Sequence, residues 1–253
     1  MPEAMIEMNS LAGKQALSLV RKADYAHAGE EEAVDLVFKN VQRNPSQRIL
    51  DVGSGLGATA EYIRRQSWGK VTGIEINRSA VVYANETYER NNFITGDAAE
   101  TDQLVDGEFD FVVSFNAFYA FQNQPGALDA LSKVAKHSAQ LMIFDYVDRG
   151  DYHLDPILEN GKPFLPNPLH LDKIESLLER NGWHMFTIEP LHPHFTDWYA
   201  TLVDNIRHAE KKIRKTTPEG FYDHMLNLYT QLYNAIHENR LGGAIVRANH
   251  GKA

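Results

Sequence analysis

Three carboxylates accompany three successive short apolar runs. Asp51 lies in Arg48-Ile-Leu-Asp-Val52, Glu75 closes Lys70-Val-Thr-Gly-Ile-Glu75, and Asp97 follows Asn92-Phe-Ile-Thr95 in the run Thr95-Gly-Asp-Ala98. After the first run comes Gly53-Ser54-Gly55-Leu56-Gly57. Glycines in such a turn let a ligand approach the backbone, because no Cβ intervenes. A glycine turn alone selects loosely among nucleotide-binding folds, so the acids carry the discrimination. Asp51, two residues before the first glycine, gives a pyrophosphate nothing and suits an ammonium group. Glu75, 24 residues further on, stands where an acid accepts both hydroxyls of a ribose. Asp97 is placed to accept from an adenine amino group. The competing reading is a nicotinamide-dependent oxidoreductase, whose fingerprint Gly53-x-Gly55-x-x-Ala58 nearly satisfies. Asp51 and the Gly-Asp-Ala run count against it.

Groups spaced in this way meet only if the strands that carry them lie side by side. The pattern predicts strands over 48–52, 70–75, 92–95, 109–114 and 140–144, with helices to about 66, near 80–90 and near 127–136. Further strands are expected over 184–189 and 243–248. This β-α-β-α rhythm implies an α/β fold: a doubly wound, mostly parallel, seven-stranded sheet with helices on both faces. Residues 1–44 read as an N-terminal helical cap, bent at Tyr25-Ala-His-Ala-Gly29 and closed by Pro45. Residues 45–190 form the core, with a proline-bearing loop over 150–168 and a helix over 169–181 stopped by Gly182. Residues 191–241 form a helical lid or substrate region of two longer amphipathic helices, interrupted near Pro218. Residues 242–253 supply the last strand and a tail. So long an insert exceeds what a connection needs, which makes it a lid over a site or a dimerisation surface; a monomer or a homodimer is expected.

Composition narrows the partners. The 253 residues carry 34 acidic and 25 basic side chains, a formal charge of −9, which disfavours nucleic acid. There is no cysteine, so thiolate and disulfide chemistry are excluded. The opening MPEAMIEMNS lacks the basic and apolar blocks of a signal peptide, and no apolar run approaches the ~20 residues of a membrane span. A cytoplasmic chain without stable membrane insertion is the expectation. His192-Pro-His194 with Asp197 fixes no complete ligand set, so no metal is expected, and the pair reads as solvated surface histidines first, and as loop histidines near the lid that contact substrate second. The basic run Arg207 to Lys215 reads as a solvated helix face.

With these motifs in order, the sequence resembles the class I methyltransferases that use S-adenosyl-L-methionine, over roughly residues 25–148. The resemblance implies a Rossmann-like methyltransferase fold. It places Gly53, Ser54, Gly55 and Gly57 around the methionine and ribose, Glu75 on the ribose, and Ile76 against adenine. Asp97 and Ala98 would hold the adenine edge, Ser114 and Phe115 would close the far side, and Asp51 would meet the ammonium group. Within the class, the layout is similar to the small-molecule branch of phosphoethanolamine and glycine/sarcosine N-methyltransferases. These share the Tyr25 to Gly29 bend, which implies that Tyr25 and His27 lie near the donor. The phosphoethanolamine enzymes differ in carrying a histidine where this chain has Ala120, and a tyrosine that falls near Asn9 or Leu17. Their phosphate-binding arginine has no clear counterpart between Asp155 and Leu169.

The acceptor is expected among aromatic side chains, with Asn116, Tyr119, Tyr146 and Trp198 as substrate-binding candidates. Aromatic faces attract cations such as an amine and equally line pockets for phenols or isoprenoids. Tyr146 and His194 are the candidates for accepting a proton from an amine. The expected function is methyl transfer to a small-molecule amine. O- or C-methylation of an aromatic or isoprenoid metabolite, and a donor-binding regulator without turnover, are the alternatives.

Overall fold

The computed structural model describes residues 6–251, so the outermost ends of the cap and tail, 1–5 and 252–253, lie outside the described residues. Two short helices open the chain. α1 (Leu11–Ser18) is capped by Ser10, whose Oγ accepts from the Gly13 N–H at 3.1 Å. α2 (Glu30–Phe38) carries Glu30, Glu31 and Glu32 in its first turn, where negative charge complements the helix dipole. Then follow β1 (Arg48–Val52), α3 (Ala58–Arg65), β2 (Lys70–Glu75), α4 (Arg78–Thr87), β3 (Asn92–Thr95) and α5 (Thr101–Leu104). β4 (Phe109–Phe115), α6 (Gln124–Val134) and β5 (Ala135–Asp148) complete the parallel part. β6 (Leu158–Glu159) and β7 (Lys162–Pro163) make a small hairpin. α7 (Ile174–Glu179), β8 (Trp183–Pro190), α8 (His192–His208), α9 (Glu210–Thr216), α10 (Phe221–His237) and β9 (Leu241–His250) close the chain.

The seven main strands lie in the order β3-β2-β1-β4-β5-β9-β8, as a mostly parallel sheet in which β9 runs antiparallel between β5 and β8. The chain therefore leaves β1 towards β2 on one side and reaches β4 on the other. Ligands of such sheets sit at the carboxyl ends of the strands, at this switch point. Asp51 pairs in register with Gly73 of β2 and Val113 of β4, which fixes it at the centre of the sheet. One face packs Leu50, Val112, Leu128 and Trp183 into a core. The other face joins the cap to the late helices through Leu17, Val34, Phe38, Phe144, Phe195 and Leu232. Each such side chain, withdrawn from water, contributes roughly 1.5–3 kcal/mol, so cap and late helices are integral to the fold.

Besides the β6–β7 hairpin, which falls in the stretch read as a loop, three elements differ from the sequence reading. β5 runs from Ala135 rather than 140, and reaches Asp148 because β9 pairs with it continuously from Gln140 to Asp148. The helix expected over 169–181 shrinks to Ile174–Glu179, because Leu169 is drawn onto β5: its N–H donates to Tyr146 O and its carbonyl accepts from Asp148 N–H. The late region holds three helices, since the chain breaks at Ala209 as well as before Phe221.

Candidate functional site

A cavity of about 320 Å³ opens above the carboxyl ends of β1, β2 and β4, walled at one end by the glycine turn and at the other by aromatic side chains. The turn is fixed by two bonds to β2: Gly53 N–H and Ser54 N–H both donate to Ile74 O, at 2.8 and 3.0 Å. Gly53 and Gly55 take φ of 81° and 57°, a region that favours glycine, and a Cβ on Gly53 would run into Ala117. Gly55 N–H donates to Glu75 Oε2 at 2.9 Å, and Asn77 N–H to Glu75 Oε1 at 3.0 Å. Glu75 is thus held rigidly with its carboxylate at the cavity wall. Asp97 Oδ1 accepts from Ala99 N–H at 2.8 Å, and both Asp97 and Ala98 line the cavity. Ile76 stands beside them, 67% exposed, an apolar platform at the cavity wall.

Asp51 is fully buried behind this wall, and its Oδ2 has no hydrogen-bond partner among the described residues. Burial, then the neighbouring charge of Glu75, pushes its carboxyl up to about 7. The hydroxyls of Ser54 and Ser114 are likewise buried without partners among the described residues. An unpaired buried acid costs the fold stability unless a partner arrives. A ligand with an ammonium group, a ribose diol and a flat base answers these features in turn: Asp51, Glu75, and Ile76 with Asp97. The residues present fit S-adenosyl-L-methionine.

The far end of the cavity is lined by Asn116, Tyr119 and Tyr146, with Phe115 between the two ends. Asn116 adopts φ 44° directly after β4, and its Oδ1 accepts from Ala28 N–H at 3.0 Å. Asp145, completely buried, accepts from Tyr119 N–H at 2.9 Å and Tyr146 N–H at 2.7 Å, which fixes both backbones. The Tyr146 and Tyr199 hydroxyls are hydrogen-bonded to each other. Burial raises the Tyr119 and Tyr146 phenols well above their ordinary range, so both are neutral.

Several candidates lie away from the cavity. His194 is in the first turn of α8 rather than in a loop, with its ring 5.4 Å from that of Trp198. Pro193 explains the helix start, since the first turn needs no N–H there. Trp198 donates through Nε1 to Glu32 Oε2 at 2.9 Å and covers Gly29, clipping α8 to the cap. Neither lines the cavity. Tyr25 and His27 are buried in the bend, where His27 Nε2 meets Thr59 Oγ1 and Nδ1 meets Ala28 O, each at 2.9 Å. Burial pushes the His27 ring down to about 3, so it is a neutral clip between cap and α3. Ser54, Gly57 and Ser114 do not line the cavity either. Among the described residues, no cluster of three His, Asp or Glu is arranged to hold a metal, and no helix is long and apolar enough to cross a membrane.

The cavity also recruits residues that the sequence reading passed over: Met8, Lys14, Phe164 and Tyr229. Lys14 Nζ lies 3.1 Å from Glu75 Oε2. Tyr229 sits on the apolar stripe of α10, where its periodicity is that of any core residue. Asn9, Leu17 and Ala120, the three positions that depart from the phosphoethanolamine enzymes, all line the cavity.

Comparison with known proteins agrees with this geometry. Residues 50–143 match the methyltransferase domain family. The chain is 28% identical over 138 residues to a phosphoethanolamine N-methyltransferase of Plasmodium falciparum, covering 53% of this chain and 52% of that one. It is 28% identical over 166 residues to an O-methyltransferase of Pyrenophora dematioidea, covering 62% of each. It thus spans only about half to three fifths of these relatives' lengths. Phosphoethanolamine N-methyltransferase 2 of Haemonchus contortus, solved with S-adenosyl-L-methionine, superposes with a TM-score of 0.80 at 15% identity, covering 100% of this chain and 62% of that one. The match to a methyltransferase domain thus lies over residues 50–143, set in a Rossmann-like fold shared with that solved structure.

Proposed function

We propose that the chain transfers the methyl group of S-adenosyl-L-methionine to a small-molecule amine. The observation that carries this reading is the phenol-lined end of the cavity, Tyr119, Tyr146 and Tyr229, continuous with the donor end at Phe115 and Asn116. The donor supplies the methyl as a sulfonium, from which the amine nitrogen takes it with cleavage of the carbon–sulfur bond. The protein's part is alignment and exclusion of water. Orientation of this kind contributes about 7–11 kcal/mol in favourable cases. The phenols are held neutral by burial, so they orient the acceptor through hydrogen bonds and their electron-rich faces rather than by taking its proton. Residues 191–241 read as a lid, because Tyr229 of α10 lines the aromatic end and Tyr199 of α8 bonds the Tyr146 hydroxyl behind it.

O- or C-methylation is the second reading, favoured by the apolar walls Met8, Leu17 and Phe164 and by the relation to an O-methyltransferase. Turnover of methyl-labelled S-adenosyl-L-methionine against pools of amines, amino acids, phenols and isoprenoids separates the readings. Label in the amine or amino-acid pools supports the first. Label only in phenols or isoprenoids replaces it with the second, and donor binding without product from any pool supports a regulator.

A further inference from the structure

A second cleft, of about 490 Å³, opens at the amino ends of β1, β2 and β3, the opposite end of the sheet from the donor cavity. β1 has five residues, so at about 3.3 Å each the two sites lie on the order of 15 Å apart. The cleft is lined by Ser46, Arg48, Lys70, Thr72, Arg90 and Asn92, with Val71 and Asn91 between them. In a chain of formal charge −9, this lining holds three cations and, among the described residues, no carboxylate.

The register of the sheet brings these groups together. Arg48 pairs with Lys70 across β1 and β2, and Thr72 pairs with Asn92 across β2 and β3. Side chains alternate between faces along a strand, so Lys70 and Thr72 share one face, and their in-register neighbours share it with them. Arg90 joins from the turn just ahead of Asn92. Like charges at directly paired positions repel, and an anion held between Arg48 and Lys70 removes that repulsion.

Arg48 is held in place without being neutralised. Its Nη2 donates to Asp106 O at 2.8 Å, its Cζ lies 4.7 Å from the centre of the Phe109 ring, and a Cβ on Gly107 would run into its Nη1. The acids around the cleft are engaged elsewhere. Asp110 takes Arg48 N–H at 2.8 Å and Lys136 Nζ at 2.7 Å. Glu61 takes Arg64 Nε at 2.8 Å and Asn91 Nδ2 at 3.0 Å, so Asn91 gives the cleft no donor. Lys70 and Arg90 are exposed and form no ion pair among the described residues.

We propose that this cleft binds a phosphate group, inorganic or carried by a small metabolite. Two guanidinium forks, an ammonium and the hydroxyls of Ser46 and Thr72 offer more donors than a carboxylate accepts, and they suit the three terminal oxygens and double charge of a phosphate. The acidic remainder of the chain disfavours an extended polyanion. The site is independent of the methyl-transfer reading, because none of its residues lines the donor cavity.

Calorimetry and thermal melting on the full chain test it, with sodium phosphate, pyrophosphate and glycerol 3-phosphate as probes against sodium chloride at matched ionic strength. Each is run with and without S-adenosylhomocysteine, which fills the donor cavity. A probe at tenfold its Kd should raise Tm by roughly 3–6 °C, equally in both series. Lys70→Gln and Arg90→Gln should each weaken binding about tenfold, while Lys162→Gln, the same charge change on the β6–β7 hairpin, leaves it unchanged. Tighter binding of glycerol 3-phosphate supports an organic phosphate and tighter binding of phosphate or pyrophosphate an inorganic one. A Tm gain matched by chloride, a gain lost once S-adenosylhomocysteine is bound, or equal weakening by Lys162→Gln would overturn the proposal.

Discussion

Lys14 Nζ lies 3.1 Å from Glu75 Oε2, an oxygen that also accepts from Gly55 N–H at 2.9 Å. The carboxylate that should receive a ribose is therefore already engaged by a cation from α1. A ligand carrying both a sulfonium and an ammonium brings two further positive charges to this site. Lys14→Met removes the competing cation and leaves Glu75 and Asp51 to face the ligand. Binding of S-adenosyl-L-methionine should tighten about three- to tenfold, on the scale of ~1 kcal/mol for a solvent-screened charge. S-adenosylhomocysteine, without the sulfonium, should gain less. Calorimetry on both ligands reads the difference; weaker binding of both would show that Lys14 stays with the ribose and contributes to holding it.

Asp51 makes donor binding depend on pH. Its carboxyl sits at about 7 in the ligand-free site, above the ordinary carboxylate value. Between pH 4 and 7 the folded chain then binds more protons at this group than the unfolded chain does, so stability contributed here falls as pH rises through that window. An arriving ammonium group reverses the preference and stabilises the carboxylate. Donor affinity should therefore rise from pH 6 to 7.5, with release of a proton. Asp51→Asn should flatten that rise, increase the ligand-free Tm at pH 8, and weaken binding at pH 8 by roughly 1.5–3 kcal/mol, the scale of a hydrogen bond to a charged group. Asp145 also sits at about 7 and is buried beside Tyr119 and Tyr146, so the comparison of wild type with Asp51→Asn is what isolates Asp51. An undiminished pH dependence in the variant would remove Asp51 from the donor site.

His27 should govern acid stability instead. Its ring is fully buried between Thr59 and Ala28, and its pKa is pushed down to about 3. The unfolded chain takes up a proton near pH 6.5 that the folded chain refuses. Stability present above pH 6.5 is thus lost as pH falls towards 3, by up to about 1.4 kcal/mol per unit. His27→Gln should move the acid-unfolding midpoint downward while donor affinity changes less than about threefold, since the ring does not line the cavity. A large loss of donor affinity with an unmoved midpoint would reverse this assignment.

The donor end was legible because its residues are tied to strand ends, where spacing along the chain converts directly into position in space. Asp51, Glu75 and Asp97 follow from three short strands whose parallel order the β-α alternation dictates. The acceptor end was not legible in the same way. Leu17 and Tyr229 come from helices whose packing over the sheet is set by tertiary contacts, and on such helices a cavity residue has the same period as a core residue. His194 and Trp198 misled for the opposite reason. Their chemistry is suggestive, but Pro193 starts a helix that turns both rings onto the cap.

The Tyr146–Tyr199 pair allows a final prediction about how the aromatic end works. The two hydroxyls bond to each other, Tyr146 lines the cavity and Tyr199 stands behind it on α8. If Tyr146 orients the acceptor and Tyr199 orients Tyr146, the two act as one unit. Tyr146→Phe should lower kcat/KM for the acceptor by roughly a hundredfold, on the scale of a lost positioning contact. Tyr199→Phe should lower it by about three- to tenfold, with donor KM unchanged in both. The double variant should be little worse than Tyr146→Phe alone, an interaction energy of ~1 kcal/mol in a double-mutant cycle. Strict additivity would mean that the hydroxyls act separately, and that α8 contributes to closure of the site without contributing to the alignment of the acceptor.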